Sequence, residues 1–313
     1  MISLLRRLLP LLALGFAVQL QPAIAQETQS PPITSYAPAT QDGPLAAGQF
    51  DEITLCAQLT ADAAEIPSGL VWRVFKPEPG ADGRLPLVAS AQGGTQVFQL
   101  ERGSYLVHAT FGRAGATKRV TVTQTTQRDC LVLDAGGLKL DAVMSGGMRV
   151  PPEELLFSIY DGAADAEGDR ALIIPDVKPG RIVRLNAGTY HVVSKFGNVN
   201  ATIRSDINVG AGKLTEATVE HRAAKITVKL VREKDGEAIA DTAWSIVSDS
   251  GDPVFDSVGA YASMVLAEGE YTIIAKNRDR IYQRNYTVES GRNEEVEVIT
   301  TETLAPDAVD GAD

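Results

Sequence analysis

The sequence is poor in the residues that most often carry metal, redox and acid–base chemistry. Its 313 residues include two cysteines and three histidines. Two cysteines are too few for a zinc ribbon or an iron–sulfur cluster. Aromatic residues make up 6% of the chain, and basic residues are outnumbered 40 to 29, which gives a formal net charge of −11. Because such an acidic chain repels polyphosphate, the composition argues against nucleic-acid binding as a main role.

A membrane-spanning segment is also missing from the sequence. The apolar run at residues 8–20 is shorter than the roughly 20 residues that a spanning helix needs. It follows Arg6 and Arg7 and precedes the small-x-small tripeptide at residues 23–25, as in a secretory signal peptide. We therefore expect residues 1–25 to be removed after Ala25, leaving no membrane span, in the bacterial periplasm or outside the cell. The alternative is an uncleaved N-terminal anchor.

Two further segments show no apolar period. Residues 26–47 are rich in Gln, Ser, Thr, Pro and Gly, which predicts a flexible spacer. Residues 303–313 carry three aspartates and no basic residue, which predicts a disordered acidic tail.

Between these segments the chain repeats one pattern three times. Leu-x-x-Gly-x-Tyr, followed by alternating apolar residues, occurs around Tyr105, Tyr190 and Tyr271, which are 85 and 81 residues apart. A second shared segment precedes each copy and contains an aromatic residue: Trp72, Phe157 or Trp244. Two landmarks in the same order indicate a true internal repeat.

Each copy contains short period-2 segments rich in Val, Ile, Thr and Leu, and none sustains a helical period. The prediction is an all-β chain of three tandem antiparallel β-sandwich domains, at residues 48–136, 137–223 and 224–302. The linkers between them are short, so we expect a stiff rod.

The Gly-x-Tyr step resembles a tyrosine corner, in which the glycine permits a turn and the tyrosine hydroxyl bonds to nearby backbone. With the Gly turn between strands that follows it, the pattern resembles the carboxypeptidase-regulatory-like (transthyretin-like) and immunoglobulin-like repeats of bacterial envelope proteins, over about residues 50–300. The resemblance implies non-catalytic modules for adhesion, spacing or binding, and it supplies no catalytic residue. It leaves the strand order, immunoglobulin-like or transthyretin-like, open.

The three histidines are His108, His191 and His221, and they lie in different copies or at different positions along their strands. Because they do not converge on one site, we expect solvent-facing strand residues. No serine nucleophile motif and no phosphate-binding loop is present. The sequence therefore predicts no catalytic residue, no cofactor and no enzymatic activity.

Two charged clusters are candidate binding sites. The first is an acidic loop whose carboxylates could bind calcium, although a solvated hairpin loop is the favoured interpretation. Its acids are Asp161, Asp165, Glu167 and Asp169. A basic segment in the third copy is a candidate contact patch for an anionic partner such as a polysaccharide, or else a loop made soluble by charge: Lys276, Arg278, Arg280, Tyr282 and Arg284.

The two cysteines lie in the opening and closing strands of the first copy. The first and last strands of many small sandwiches run close together, and the predicted compartment is oxidising, so a Cys56–Cys130 disulfide is expected. The corresponding pairs in the other copies are Asp141 with Thr218 and Val228 with Val296. The alternative is two buried thiols that pack as small hydrophobes.

The sequence predicts an exported, non-enzymatic scaffold or spacer that binds an envelope protein through strand edges and inter-domain grooves. The alternative is binding of an envelope glycan or exported polysaccharide. A hydrolase ranks last, because no catalytic constellation is present.

Overall fold

The computed structural model describes residues 50–123 and 126–301. The predicted signal peptide (1–25), spacer (26–47) and tail (303–313) lie outside these residues. No helix in the described part of the chain is long and apolar enough to cross a membrane.

In residues 50–123 and 126–301, twenty-one strands form three units of seven. The first unit contains β1 Phe50–Gln58, β2 Leu70–Phe75, β3 Leu87–Gly93, β4 Gln96–Glu101, β5 Gly103–Phe111, β6 Ala114–Val122 and β7 Thr126–Val132. The second contains β8 Ala135–Met144, β9 Leu155–Asp161, β10 Leu172–Val177, β11 Ile182–Asn186, β12 Gly188–Phe196, β13 Thr202–Val209 and β14 Leu214–His221. The third contains β15 Ala223–Val231, β16 Thr242–Ser248, β17 Pro253–Val258, β18 Tyr261–Ala267, β19 Gly269–Asn277, β20 Arg280–Val288 and β21 Glu294–Ile299.

All three units have the same strand order. A three-stranded sheet places the first strand between the fourth and the seventh, and a four-stranded sheet has the order third, second, fifth, sixth. The predicted all-β fold of tandem sandwiches is therefore confirmed. An immunoglobulin constant domain keeps its first two strands in one sheet, whereas here they lie in different sheets. One pair in each unit, the first and last strands, is parallel.

Each sandwich closes around one aromatic side chain from its second strand. Trp72, Phe157 and Trp244 are all at most 2% exposed. The Trp72 indole N–H donates to the carbonyl of Gly94 at 2.9 Å, and that of Trp244 to the carbonyl of Gly259 at 3.0 Å. Phenylalanine has no donor to satisfy, so the second unit fills the same space without this bond.

The repeated tyrosines form the predicted corner. The hydroxyls of Tyr105, Tyr190 and Tyr271 each donate at 2.9 Å to the carbonyl four residues upstream. The glycine two residues before each tyrosine has a φ between 153° and 155°, which side-chain-bearing residues rarely adopt. The motif therefore encodes the turn from the fourth strand into the fifth.

The edge strands of the four-stranded sheets are irregular. Strands β3, β10 and β17 each pair with their neighbour through a shift in register. Bulges at sheet edges discourage edge-to-edge pairing, so these edges are poorer docking surfaces than the sequence analysis supposed.

Candidate interaction sites

The first and second units meet at a joint centred on Asn186, at the end of β11. Its side-chain Nδ2 donates to the carbonyl of Leu133 at 2.7 Å and to that of Gly115 at 3.1 Å. Its Oδ1 accepts the backbone N–H of Gly115 at 3.1 Å. The N–H of Ala187 also donates to the carbonyl of Asp134 at 2.6 Å. One amide thus binds both the closing strand and the β5–β6 hairpin of the first unit.

The second joint repeats this arrangement between the second and third units. The N–H of Glu268 donates to the carbonyl of Arg222 at 3.0 Å, as Ala187 does to Asp134. An asparagine again makes side-chain bonds across the joint, but it comes from the hairpin. Asn200 Oδ1 accepts the N–H of Ala267 at 2.9 Å, and its Nδ2 donates to the Tyr271 hydroxyl at 2.8 Å.

Both joints also depend on a glycine at the hairpin tip. Gly112 and Gly197 have φ of 68° and 71°, and a Cβ there would lie 3.0 Å from Cβ of Arg184 or 2.7 Å from Cβ of Val265. Such close approach leaves no room for a side chain. The hairpins of the first and second units are therefore packed tightly on the fourth strand of the unit that follows.

Each joint adds a charged contact. The Arg184 guanidinium lies 4.2 Å from the centre of the Phe111 ring, a cation–π geometry. Lys225 Nζ lies 2.5 Å from Glu154 Oε1 across the second joint.

A groove of about 390 Å³ opens beside the first joint. Three exposed arginines, Arg113, Arg181 and Arg184, line it together with a single acid, Asp176. Pro175 and the half-exposed Ile182 add apolar surface. In a chain with a net charge of −11, this groove is locally basic.

The two cysteines form a disulfide, as the sequence predicts. Cys56 and Cys130 are paired residues of the parallel strands β1 and β7, with Cα atoms 4.4 Å apart. Of the two predicted equivalents, Asp141 with Thr218 is confirmed. Val228 does pair with Val296, but the position that corresponds to Cys56 and Cys130 is one residue further on, at Lys229 and Glu297. Glu65 lies beside the sulfur atoms, and its carboxylate binds Thr95 and Arg128, which hold its pKa below the usual value.

The histidines are not all exposed, which corrects the sequence analysis for His221. His191 bonds to Asp206 at 2.7 Å, and His108 to Thr117 at 2.8 Å. His221, in contrast, is 1% exposed, and burial lowers its pKa to about 4. It lies at the end of β14 on the same strand face as the buried Val219, and its ring packs edge-on against that of Phe196, with the ring centres 5.9 Å apart.

His221 is hydrogen-bonded to Ser194 at 2.8 Å. No sequence motif predicts this pair; the available signal is strand alternation, which places Ser194 inward two residues after Val192 and leaves a buried hydroxyl in need of a partner. Ser194 has no exposed surface, so a substrate cannot reach its hydroxyl. The pair is a satisfied polar contact within the core.

The acidic loop between β9 and β10 uses its carboxylates to hold its own backbone. Asp165 Oδ1 accepts the N–H groups of Glu167 at 3.1 Å and Asp169 at 2.7 Å, and Asp161 Oδ1 accepts that of Ala163 at 3.0 Å. Across residues 50–123 and 126–301, these four acids do not converge as metal ligands; the single converging group is Cys56, Cys130 and Glu65, whose sulfurs form the disulfide. Calcium binding by this loop stays a prediction.

The basic segment forms the β19–β20 hairpin, and two of its five residues are not available as a contact patch. Lys276, Arg278 and Arg280 are exposed at the tip. Tyr282 is 5% exposed in the core of the third unit. Arg284 lies on the same strand face as Tyr282 and donates to the carbonyl of Glu297. Strand alternation explains the correction, because every second residue of β20 faces inward.

Residues 225–300 match a known repeat family. The family is described as the Rhizobiales growth-associated tandem repeat domain, and the match lies within the third unit. It supports a tandem-repeat domain and does not confirm a carboxypeptidase-regulatory-like or transthyretin-like family. No curated protein matches the chain.

Solved structures that match the chain include one Bacillus anthracis protein and two bacterial pilins. The Bacillus anthracis TIE protein is 15% identical over 80% of this chain and 50% of its own, with a TM-score of 0.23. GBS52, the minor pilin of Streptococcus agalactiae, is 14% identical over 55% and 95%, with a TM-score of 0.31. BcpA, the major pilin subunit of Bacillus cereus, is 11% identical over 80% and 99%, with a TM-score of 0.23. The chain thus spans about half the length of the TIE protein. At these values the likeness concerns the all-β architecture alone.

Proposed function

We propose that the chain is an exported, non-enzymatic spacer that holds protein-interaction surfaces at a fixed separation in the bacterial periplasm or at the cell surface. The observation that carries the proposal is the repeated joint. Two consecutive junctions use the same hairpin, the same receiving strand and the same backbone bond from linker to next unit.

These joints are stiff for a physical reason. In a flexible linker, successive units would share few contacts and would reorient freely. Here the linker backbone and an asparagine side chain are hydrogen-bonded across each junction, and the hairpin tip packs closely on the next unit. Reorientation would break several hydrogen bonds at once, each worth about 1 kcal/mol.

Export is supported by two independent features. The Cys56–Cys130 disulfide fits an oxidising compartment, where such bonds persist. The N-terminal sequence has the three regions of a signal peptide. Mass measurement of the chain recovered from the cell envelope tests this part, and a retained N-terminal Met1 would contradict it.

Stiffness can be measured by placing one spin label on the first unit and one on the third. We expect a narrow distance distribution that broadens in Asn186→Ala and Asn200→Ala. Asn285→Ala is the matched control, because this exposed asparagine makes its side-chain bond within the third unit, accepting from Thr272 at 3.2 Å. An equally broad distribution in the unchanged protein would refute the stiff spacer.

The groove beside the first joint is our proposed docking surface for an acidic segment of an envelope protein. Its arginines attract carboxylates, and its apolar residues supply surface to bury. A photo-crosslinking residue at position 182 should capture a partner in cells, and Arg113→Glu with Arg181→Glu should abolish capture. Arg119→Glu with Arg204→Glu changes the charge equally on exposed strand faces and should leave capture intact.

Glycan binding is the second candidate, and it has less support from the surface. Rows of exposed aromatic rings are the usual platform for a sugar, and in the described part of the chain the strongly exposed rings are Phe50 and Tyr261, on different units. Co-sedimentation with peptidoglycan or exported polysaccharide tests it directly. Binding that survives the groove substitutions would favour the glycan over the protein partner.

A further inference from the structure

The third unit carries the same hairpin that makes the two joints, but with a different tip. The positions of Gly112 and Gly197 correspond to Arg278, each seven residues after the repeated tyrosine. Arg278 keeps the same backbone conformation, with φ of 54°. Lys276 and Arg280 flank it, and all three are exposed. The glycine that packs closely in the joints is therefore replaced here by an exposed arginine, with an exposed cation on either side.

The first unit carries the receiving face of a joint, again with different residues. Phe50 occupies the strand position of Ala135 and Ala223, since each pairs with the last residue of its unit's fourth strand. Both alanines have no exposed surface, whereas Phe50 is 58% exposed. We define the head face as the outward residues of β1 and β4, namely Phe50, Glu52, Val97, Gln99 and Glu101.

The head face and the third-unit tip are complementary. Glu101 takes the place of Asn186 in the receiving strand, and Glu52 lies beside Gln99 on the neighbouring strand. Two carboxylates therefore stand where the hairpin of a preceding unit would dock. The tip offers three cations against one acid, Asp279, with the half-exposed Ile281 next to them. Phe50 is exposed on the head face and can stack with an arginine of the tip, as Phe111 does with Arg184 in the first joint.

We propose that two copies of this chain associate head to tail, with the basic third-unit tip of one copy on the acidic head face of the next. Arg278 cannot approach as closely as Gly112 does, so the contact is wider than the joints within the chain and depends on ion pairs and on arginine–phenylalanine stacking. Because such an interface joins two different surfaces, it adds copies without closing. Because its charges are exposed, it weakens as salt rises. The inference rests on the joints and does not require the spacer role.

Sedimentation velocity of the exported protein, over a wide range of concentration, tests the association. We expect monomers and end-to-end oligomers in about 0.05 M salt and a shift to monomer in about 0.5 M salt. Arg278→Glu with Arg280→Glu should abolish association, and so should Glu52→Arg with Glu101→Arg. An equimolar mixture of these two variants should regain end-to-end association, because the acidic tip of one matches the basic head face of the other and their two unaltered ends also match.

Two controls keep the test specific. Arg119→Glu with Arg204→Glu reproduces the charge change on exposed strands of the first and second units and should associate like the unchanged protein. Thermal unfolding of all variants should match, since the substituted side chains are exposed or half-exposed. A protein that stays monomeric at low salt overturns the proposal, and so does association that neither charge reversal alters. Either result leaves the spin-label test of joint stiffness unaffected.

Discussion

The first and third units contain the same parallel pair of strands, but different side chains link the two strands. In the first, the parallel strands β1 and β7 are joined covalently through Cys56 and Cys130. In the third, the same position holds Lys229 and Glu297, whose side chains form an ion pair at 3.1 Å. Strand order is identical in the two units. The comparison teaches that burial and strand pairing specify this fold, whereas the disulfide only adds stability to one copy of it.

Replacing both cysteines should have the largest effect. Cys56→Ala with Cys130→Ala opens a loop with a sequence separation of 74, and the chain-entropy model gives a loss of about 4 kcal/mol. Hydrogen exchange of the full chain should show lost protection in strands β1–β7 and unchanged protection in β15–β21. Equal loss in both units would show that the units do not unfold separately.

Acid should distinguish the second unit from its neighbours. The pKa of His221 is about 4 in the folded chain and near 6.5 when unfolded, so the unfolded chain binds an extra proton between these values. Stability from this group is complete above pH 6.5 and falls by about 3 kcal/mol as the pH drops to 4. Urea unfolding at several pH values, monitored by hydrogen exchange in β12 and β14, measures the loss. His221→Gln should flatten this dependence, and an unchanged slope would contradict the assignment.

Adding a side chain at a joint glycine should lower the stability by less than either change above. Gly197→Ala places a methyl group 2.7 Å from Cβ of Val265 in a left-handed backbone, and we expect a loss of about 2 kcal/mol at the second joint. Gly180→Ala is the matched control, since its φ is 74° and no atom lies within 4 Å of the added Cβ. Both variants share the backbone strain, and thermal unfolding should show the larger loss for Gly197→Ala. Equal losses would mean that the joint can widen freely.

The smallest effect separates two equivalent tyrosines. Tyr105→Phe and Tyr271→Phe each remove the hydroxyl bond to the carbonyl four residues upstream, worth about 1 kcal/mol. The Tyr271 hydroxyl also accepts from Asn200 across the second joint. Tyr271→Phe should therefore broaden the distance distribution between the second and third units, and Tyr105→Phe should not alter it. Identical distributions would remove Tyr271 from the joint.

Local patterns in the sequence predict those parts of the fold that short-range physics controls. The Gly-x-Tyr corner and the register of Cys56 with Cys130 follow from repeated motifs and strand alternation. Strand alternation in β14 also places His221 inward, two residues after the buried Val219, and the expectation of an exposed histidine overlooked this. The basic segment predicts a surface position for Tyr282, which is wrong. Composition does not fix where the hairpin turns, and the turn decides which residues of β20 face inward.

The joints could have been found by aligning the three copies. Gly112 and Gly197 occupy the same position of the motif, and the third copy has Arg278 there. A glycine kept in two copies and replaced in the third indicates a close contact that the third copy does not make. The asparagines are harder to find, because Asn186 and Asn200 lie on opposite partners of their joints and at different motif positions. Their roles depend on tertiary placement, which no short window contains.

The parallel pairing of first and last strands also determines how each unit would carry a mechanical load. The chain enters at the start of the first strand and leaves at the end of the last, and parallel strands place these points at opposite ends of the pair. Tension along the chain would therefore shear the whole ladder of hydrogen bonds at once instead of opening it one bond at a time. In the first unit, the Cys56–Cys130 bond lies across that same pair, so the pull would pass from strand to strand through a covalent link.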